Sequence, residues 1–116
     1  MASIPARLKR VLIVDDEENI RHLLLVVLKK AGYEPTAVAG GAEALAMLEE
    51  DDFGVVISDI RMPEMSGREL LAALRARDDA ADSYVVMMSA YGGDEVAIEC
   101  MKEGAYDYFN KPFKSD

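Results

Sequence analysis

Cysteine is almost absent. Cys100 stands alone among 116 residues, so no internal disulfide and no cysteine-based metal site can form. Tryptophan is missing altogether, and His22 is the single histidine, which leaves zinc without its usual nitrogen and sulfur ligands. Basic residues are few: 13 against 22 acidic ones, for a formal charge of −9. Nucleic acid would be repelled by such a chain, so no direct nucleic-acid binding is expected. Long apolar runs are lacking too. Arg7, Lys9 and Arg10 give a basic start, but the apolar stretch after them is only Val11–Val14, too short for a signal peptide or a membrane span. The expectation is a soluble, cytoplasmic protein with no membrane partner. What is present is a hydrophobic fraction of 51%, enough for one domain with one core.

The apolar residues alternate between short continuous runs and helical spacing. Val11–Val14, Val55–Ser58 and Tyr84–Met88 read as buried strands, Thr36–Ala39 and Asp107–Asn110 as weaker ones. Pro35 lacks an N–H donor, which assigns the Thr36–Ala39 strand to a sheet edge. Between the strands, Glu18–Ala31 carries Ile20, Leu23, Leu24, Val27, Leu28 and Ala31 at helical spacing. Gly32 stands where a C-terminal cap belongs, and Lys29 and Lys30 suit the negative end of the helix dipole. Ala42–Glu49 predicts a second helix with Ala44, Leu45 and Leu48 inward. A third starts at Ser66, which caps it while Glu69 reaches back in a capping box; Leu70, Leu71 and Leu74 form its apolar face. The polar segment Arg77–Ser83 reads as a loop. A fourth helix spans Asp94–Glu103 and stops before Gly104.

Apolar strands joined by helices imply an α/β fold with a doubly wound, five-stranded parallel sheet covered on both faces. In such sheets ligands bind outside the carboxyl ends of the strands, where the winding reverses. Asp15, Asp16, Asp59, Ser89 and Lys111 all fall at or just past those ends. Lys114-Ser115-Asp116 resembles the entrance to a fifth helix that does not follow, so the expectation is a chain truncated before that helix. One sheet face would then be covered by the Glu18–Ala31 helix alone. That helix carries six consecutive apolar residues, Leu23–Leu28, and Leu25 or Val26 would face the missing partner.

The rim has a chemistry of its own. Carboxylates repel one another and resist burial, so three of them at neighbouring strand ends call for a cation or a chemical purpose. Carboxylates, waters and a phosphate are the hard oxygen ligands that Mg²⁺ prefers. An aspartate can also attack phosphorus to give an acyl phosphate, with a metal offsetting the charge of the incoming group. Lys111 would pair with phosphoryl oxygens and Ser89 would donate a hydrogen bond to one of them.

These pieces carry a resemblance. Val14-Asp15-Asp16-Glu17, Asp59 with Met62-Pro63 and Gly67, Met88-Ser89-Ala90, and Gly104-Ala105-Tyr106-Asp107-Tyr108 leading to Lys111-Pro112-Phe113 together resemble the receiver domain of two-component response regulators. The likeness covers about residues 10–113. It implies a flavodoxin-like sheet of order 2-1-3-4-5 and a phosphorylation-controlled switch rather than an enzyme that turns over. In that likeness Asp59 is the phosphoacceptor, Asp16 the direct Mg²⁺ ligand, Asp15 the acidic partner acting through water, and the Arg61 backbone carbonyl a further ligand. Ser89 and Tyr108 are the switch pair, Lys111 is the lysine that pairs with phosphate, and the Lys111–Pro112 bond is often cis in the family. Arg61 and Tyr91 occupy positions that influence loss of the phosphoryl group, so Arg61→Ala or Tyr91→Ala is expected to change the lifetime of the phosphorylated form. The segment from Gly104 to Phe113 resembles the version in regulators whose AAA+ module activates sigma-54 promoters. The implied partners are a sensor histidine kinase, an output domain outside this sequence and a second copy in a homodimer, through the face of the fourth helix and fifth strand.

Three rivals stay open at this level. A flavin carrier of the same fold needs a phosphate-cradling loop after the first strand, but Asp15-Asp16-Glu17-Glu18 would repel phosphate. An aspartate-nucleophile phosphatase usually carries a second Asp two residues after its nucleophile, where this chain has Arg61. A docking module that works without phosphorylation would not need the acidic set or Lys111. Other residues have plainer readings. His22 suits a helix surface, Asp51, Asp52, Asp78, Asp79 and Asp82 suit solvated loops, and Met62 and Met65 lie near enough in sequence to border the site.

Overall fold

The computed structural model describes residues 5–77, 83–89 and 94–110. Along the chain the elements are α1 (Ala6–Lys9), β1 (Arg10–Val14), α2 (Glu18–Lys30), β2 (Glu34–Val38), α3 (Gly41–Glu50), β3 (Val55–Asp59), α4 (Gly67–Arg75), β4 (Tyr84–Ser89), α5 (Asp94–Lys102) and β5 (Asp107–Asn110). The five strands form one parallel sheet in the order β2-β1-β3-β4-β5. This is the expected doubly wound sheet. Winding reverses between β1 and β3, because β2 lies on the other side of β1.

The continuous apolar strands are explained by burial on both faces. In β1 every residue from Val11 to Val14 is buried, and the pleat divides them by period two. Leu12 and Val14 join the larger core with Val56, Leu70, Leu71, Leu74, Val85 and Met87. Val11 and Ile13 point the other way, to a smaller core with Leu24, Ile57 and Met88. Side chains of α3, α4 and α5 pack into the larger core, while among the described residues α2 is the only helix whose side chains pack into the smaller one.

The expected boundaries hold within a residue or two, with three differences. Strand β2 begins at Glu34 rather than Thr36 and includes Pro35, which sits opposite Val11. This is tolerated because β2 is the sheet edge and the missing donor breaks no ladder on its outer side. Leu25 packs against the smaller core, leaving Val26 and Val27 as the exposed apolar residues of α2. The single turn α1 was not legible in the sequence; it follows Pro5, whose carbonyl accepts from Leu8 N at 2.9 Å. Most of the predicted Arg77–Ser83 loop, residues 78–82 with Asp78, Asp79 and Asp82, lies outside the described residues, as does everything from residue 111 onward.

Helix ends follow the local chemistry. Ala31 closes α2, and Gly32 beyond it has φ 96°, the left-handed conformation that a C-terminal cap needs. At α4 the capping box is complete: Glu69 N donates to Ser66 Oγ at 3.1 Å, and Ser66 N donates to Glu69 Oε1 at 2.8 Å. Arg68 on α4 reaches α5 and the turn after it, donating to both carboxylate oxygens of Glu103 at 2.9 and 2.7 Å and lying 3.2 Å from Glu99. The Arg68 hydrogen bonds hold the Glu103 carboxyl below its ordinary range. Cys100 is buried beneath this surface, and desolvation pushes its thiol up.

Candidate functional site

The rim begins with two strand ends side by side. Val14 pairs with Ser58, so Asp15, just after β1, and Asp59, the last residue of β3, come next in the same register. Both are buried, Asp15 completely. Asp15 N donates to Val38 O at 3.2 Å and extends the ladder past the strand. Asp15 Oδ1 accepts from Glu17 N at 2.8 Å, and Asp15 O accepts from Arg21 Nη1 at 2.8 Å. These bonds fix the turn from β1 into α2 and hold the Asp15 carboxylate at the rim.

A second turn positions Asp59. Ile60 N donates to Met88 O at 2.9 Å and Gly67 N to Ile60 O at 2.8 Å, closing the loop 61–66 on itself. Gly67 lets α4 begin pressed on the end of β3. A Cβ at this position would collide with the Asp59 carbonyl oxygen and approach Met87 Cε to 2.8 Å. The close approach of helix start to strand end is the physical reason for glycine here. Glu64, in the same loop, has φ 70°, a conformation that a residue with a side chain rarely adopts.

One carboxylate oxygen from each of Asp15, Glu17 and Asp59 lies within 4.8 Å of the others. At that separation two carboxylates repel by about 1–3 kcal/mol between the dielectric of water and that of a protein surface. Oxygens bound to one octahedral Mg²⁺ stand about 3–4 Å apart, since each is about 2 Å from the ion. The donor set is all hard oxygen and already near that spacing. A divalent cation therefore fits the residues present.

Other candidates fall around this cluster. Ser89, the last residue of β4, is buried and pairs with Asn110 at the end of β5. Asp16 is exposed beside the cluster, and Arg61 is exposed in the loop after β3. Tyr108 lies in β5, half-buried against the larger core, with its hydroxyl 3.4 Å from Asn110 Oδ1. Lys111, the Lys111–Pro112 bond and Tyr91 lie outside the described residues. His22 is exposed on α2, and Asp51 is exposed with an ion pair to Arg10 at 3.5 Å. Met65 packs on the start of α3 at Gly41. The sequence assigns Glu17 no role in the site. Its only signal was its place directly after two aspartates, which the start of a helix explains equally well.

Many solved structures match this chain. The family model for the response regulator receiver domain matches residues 11–116. The chain belongs to the receiver domain family. Among the relatives of this receiver domain, the regulatory protein AtoC of Escherichia coli is 38% identical over 109 residues, covering 94% of this chain and 23% of AtoC. The C4-dicarboxylate transport transcriptional regulatory protein DctD of Rhizobium meliloti is 37% identical over 106 residues, covering 91% of this chain and 23% of DctD. The receiver domain thus spans about a quarter of the length of these relatives. Among solved structures, the chemotaxis response regulator CheY4 of Vibrio cholerae superimposes with a TM-score of 0.86 at 36% identity, covering 92% of this chain and 89% of that one. The response regulator TrrA of Thermotoga maritima, solved in complex with Mg²⁺-BeF, gives 0.80 at 35% identity, covering 94% and 91%. Among the described residues of this receiver domain no helix is long and apolar enough to cross a membrane.

Proposed function

We propose that this receiver domain is a phosphorylation-controlled switch in the cytoplasm, with Asp59 as phosphoacceptor. The observation that carries the reading is the Asp59 carboxylate at the end of β3, beside buried Asp15, in a receiver-domain sheet. A sensor histidine kinase presents a phosphohistidine. The Asp59 carboxylate attacks its phosphorus, the P–N bond breaks with its electron pair passing to nitrogen, an O–P bond forms, and the histidine, protonated on its other ring nitrogen, leaves as a neutral imidazole. Mg²⁺, when bound by the rim carboxylates and the Arg61 carbonyl, supplies positive charge against the phosphoryl oxygens.

The rest follows from this chain's own groups. Asp15 and Asp16 hold the acidic end of the site. Lys111 pairs with the phosphoryl oxygens, and the Ser89 hydroxyl donates to one of them. Tyr108, half-buried on β5, responds to Ser89 and shifts a pre-existing equilibrium of the α5–β5 face toward the active arrangement. That face controls an output domain of the AAA+ and DNA-binding type, with transcription as the endpoint and a homodimer as the assembled form. Arg61 and Tyr91 set the rate at which water removes the phosphoryl group, the only hydrolysis the domain performs.

Intact mass after incubation with acetyl phosphate and Mg²⁺ tests the reading. One added phosphoryl group is expected in the wild type and none in Asp59→Ala, with circular dichroism confirming that the variant is folded. A folded wild type that gains no mass overturns it in favour of docking without phosphorylation.

A further inference from the structure

We propose that Arg68 is a latch on α5: by bridging α4 to Glu99 and Glu103 it holds α5 in the resting arrangement and opposes the shift that phosphorylation drives. The inference rests on the switch reading above and names the contact that restrains it. The two helices are held unequally. α4 buries Gly67, Leu70, Leu71 and Leu74, whereas among the described residues of α5 only Cys100 is buried, and Ile98 and Met101 stay exposed. Apolar packing thus fixes α4 more firmly than α5.

Two arginines of α4 add what packing does not. Arg75 Nη2 donates to Ser83 O at 3.0 Å and to Gly104 O at 3.1 Å, with Arg75 Nε 3.3 Å from the same Gly104 oxygen. Both acceptors are backbone, and Gly104, with φ 108°, belongs to the turn that leads from α5 to β5. Arg75 therefore anchors the turn about which α5 would swing. Arg68 grips side chains instead. It donates to both carboxylate oxygens of Glu103 at 2.9 and 2.7 Å and lies 3.2 Å from Glu99, one helical turn earlier. Such bonds break without unfolding any backbone. An exposed ion pair adds little to global stability, but a small preference is enough to bias two arrangements of one lightly held helix. The rival is a passive brace, an Arg68 bridge kept equally in both arrangements, which shifts no equilibrium between them.

Titration with beryllofluoride in excess Mg²⁺, followed through amide NMR resonances, separates latch from brace. Beryllofluoride is a tetrahedral analogue of the phosphoryl group. A ligand that favours the shifted arrangement binds more tightly when the resting one loses a contact of its own. Arg68→Gln is expected to bind it about two- to fivefold more tightly than wild type, with α5 resonances of the unliganded variant displaced towards their bound positions. Removing a positive charge by itself weakens anion binding, so tighter binding is not a charge effect. In a Glu103→Gln background the same substitution is expected to do less, because its main partner is gone. Unchanged or weaker binding by Arg68→Gln, or an undiminished effect in the Glu103→Gln background, would overturn the latch and leave the switch reading intact. A wild type that binds no beryllofluoride, or binds it without moving the α5 resonances, would overturn both.

Discussion

The two faces of the sheet are built differently. Towards α3, α4 and α5, Leu12, Val14, Val56, Val85 and Met87 meet Ala44, Leu70, Leu71, Leu74 and Cys100, all buried. Towards α2, Val11, Ile13, Ile57 and Met88 meet Leu24 as the one buried residue of that helix, while Val26 and Val27 stay exposed. The same strands feed both faces, so the difference lies in the helices. The larger core sits under the helix that positions the loop after Asp59. The smaller one sits under the helix that Glu17 immediately precedes. More buried side chains thus back the loop after Asp59, and the turn after β1 is anchored by fewer packed groups.

Substitutions can break or sharpen this contrast. The largest expected effect is Gly67→Ala. The backbone oxygen of Asp59 cannot move aside as a side chain could, so a loss of about 3–5 kcal/mol is expected in urea unfolding. A loss below about 1 kcal/mol would mean that α4 is not pressed on β3. Next comes the paired test of the two cores. Leu71→Ala on the larger face is expected to destabilise by about 3–5 kcal/mol, and Leu24→Ala on the smaller by about 2, because a site with fewer neighbours collapses more readily around the lost volume. Equal losses would remove the contrast.

Ser66→Ala tests the entrance to the helix that packs on the larger face. Loss of the cap is expected to remove about 1 kcal/mol while leaving the unfolding slope unchanged.

The smallest effect concerns the Arg68–Glu103 pair. Glu103 has a folded-state pKa below its ordinary 4.5, so the pair's stabilisation is present above that value and is lost as pH falls through the lowered one. Both groups are solvent-exposed, which limits the effect by screening. The melting-temperature difference between wild type and Arg68→Gln should be small at pH 7 and vanish on acidification through the lowered Glu103 pKa or in high salt. A difference that persists at low pH would assign Arg68 a packing role instead.

Much of this was legible because it is local. Continuous apolar runs marked the strands, Ser66 with Glu69 announced the start of α4, and Pro35 placed β2 at the edge. The rim was legible one step further, because a parallel sheet puts every strand's carboxyl end on one side. Asp15, Asp16, Asp59, Ser89 and Lys111 are therefore expected on one rim from the strand ends alone. Three features were not legible. Arg68 meets Glu103 across 35 positions, a pairing that depends on how α4 and α5 lie against each other. Gly67 belongs to the motif after Asp59, but its reason, the Asp59 carbonyl pressed against it, shows only in the fold. Glu17 reads as the approach to a helix until the turn after β1 brings its carboxylate back to the rim.

Periodicity and end signals belong to the chain itself, because apolar spacing and capping act over a few residues and need no partner. The sequence alone thus determined the fold class, the order of the elements and the strand ends from which the acidic site is made. Tertiary structure decided which carboxylates share that site, which glycine lets a helix touch a strand, and which sheet face has the deeper core. Those outcomes depend on separations of a few ångströms between segments far apart in the chain, and only packing sets them.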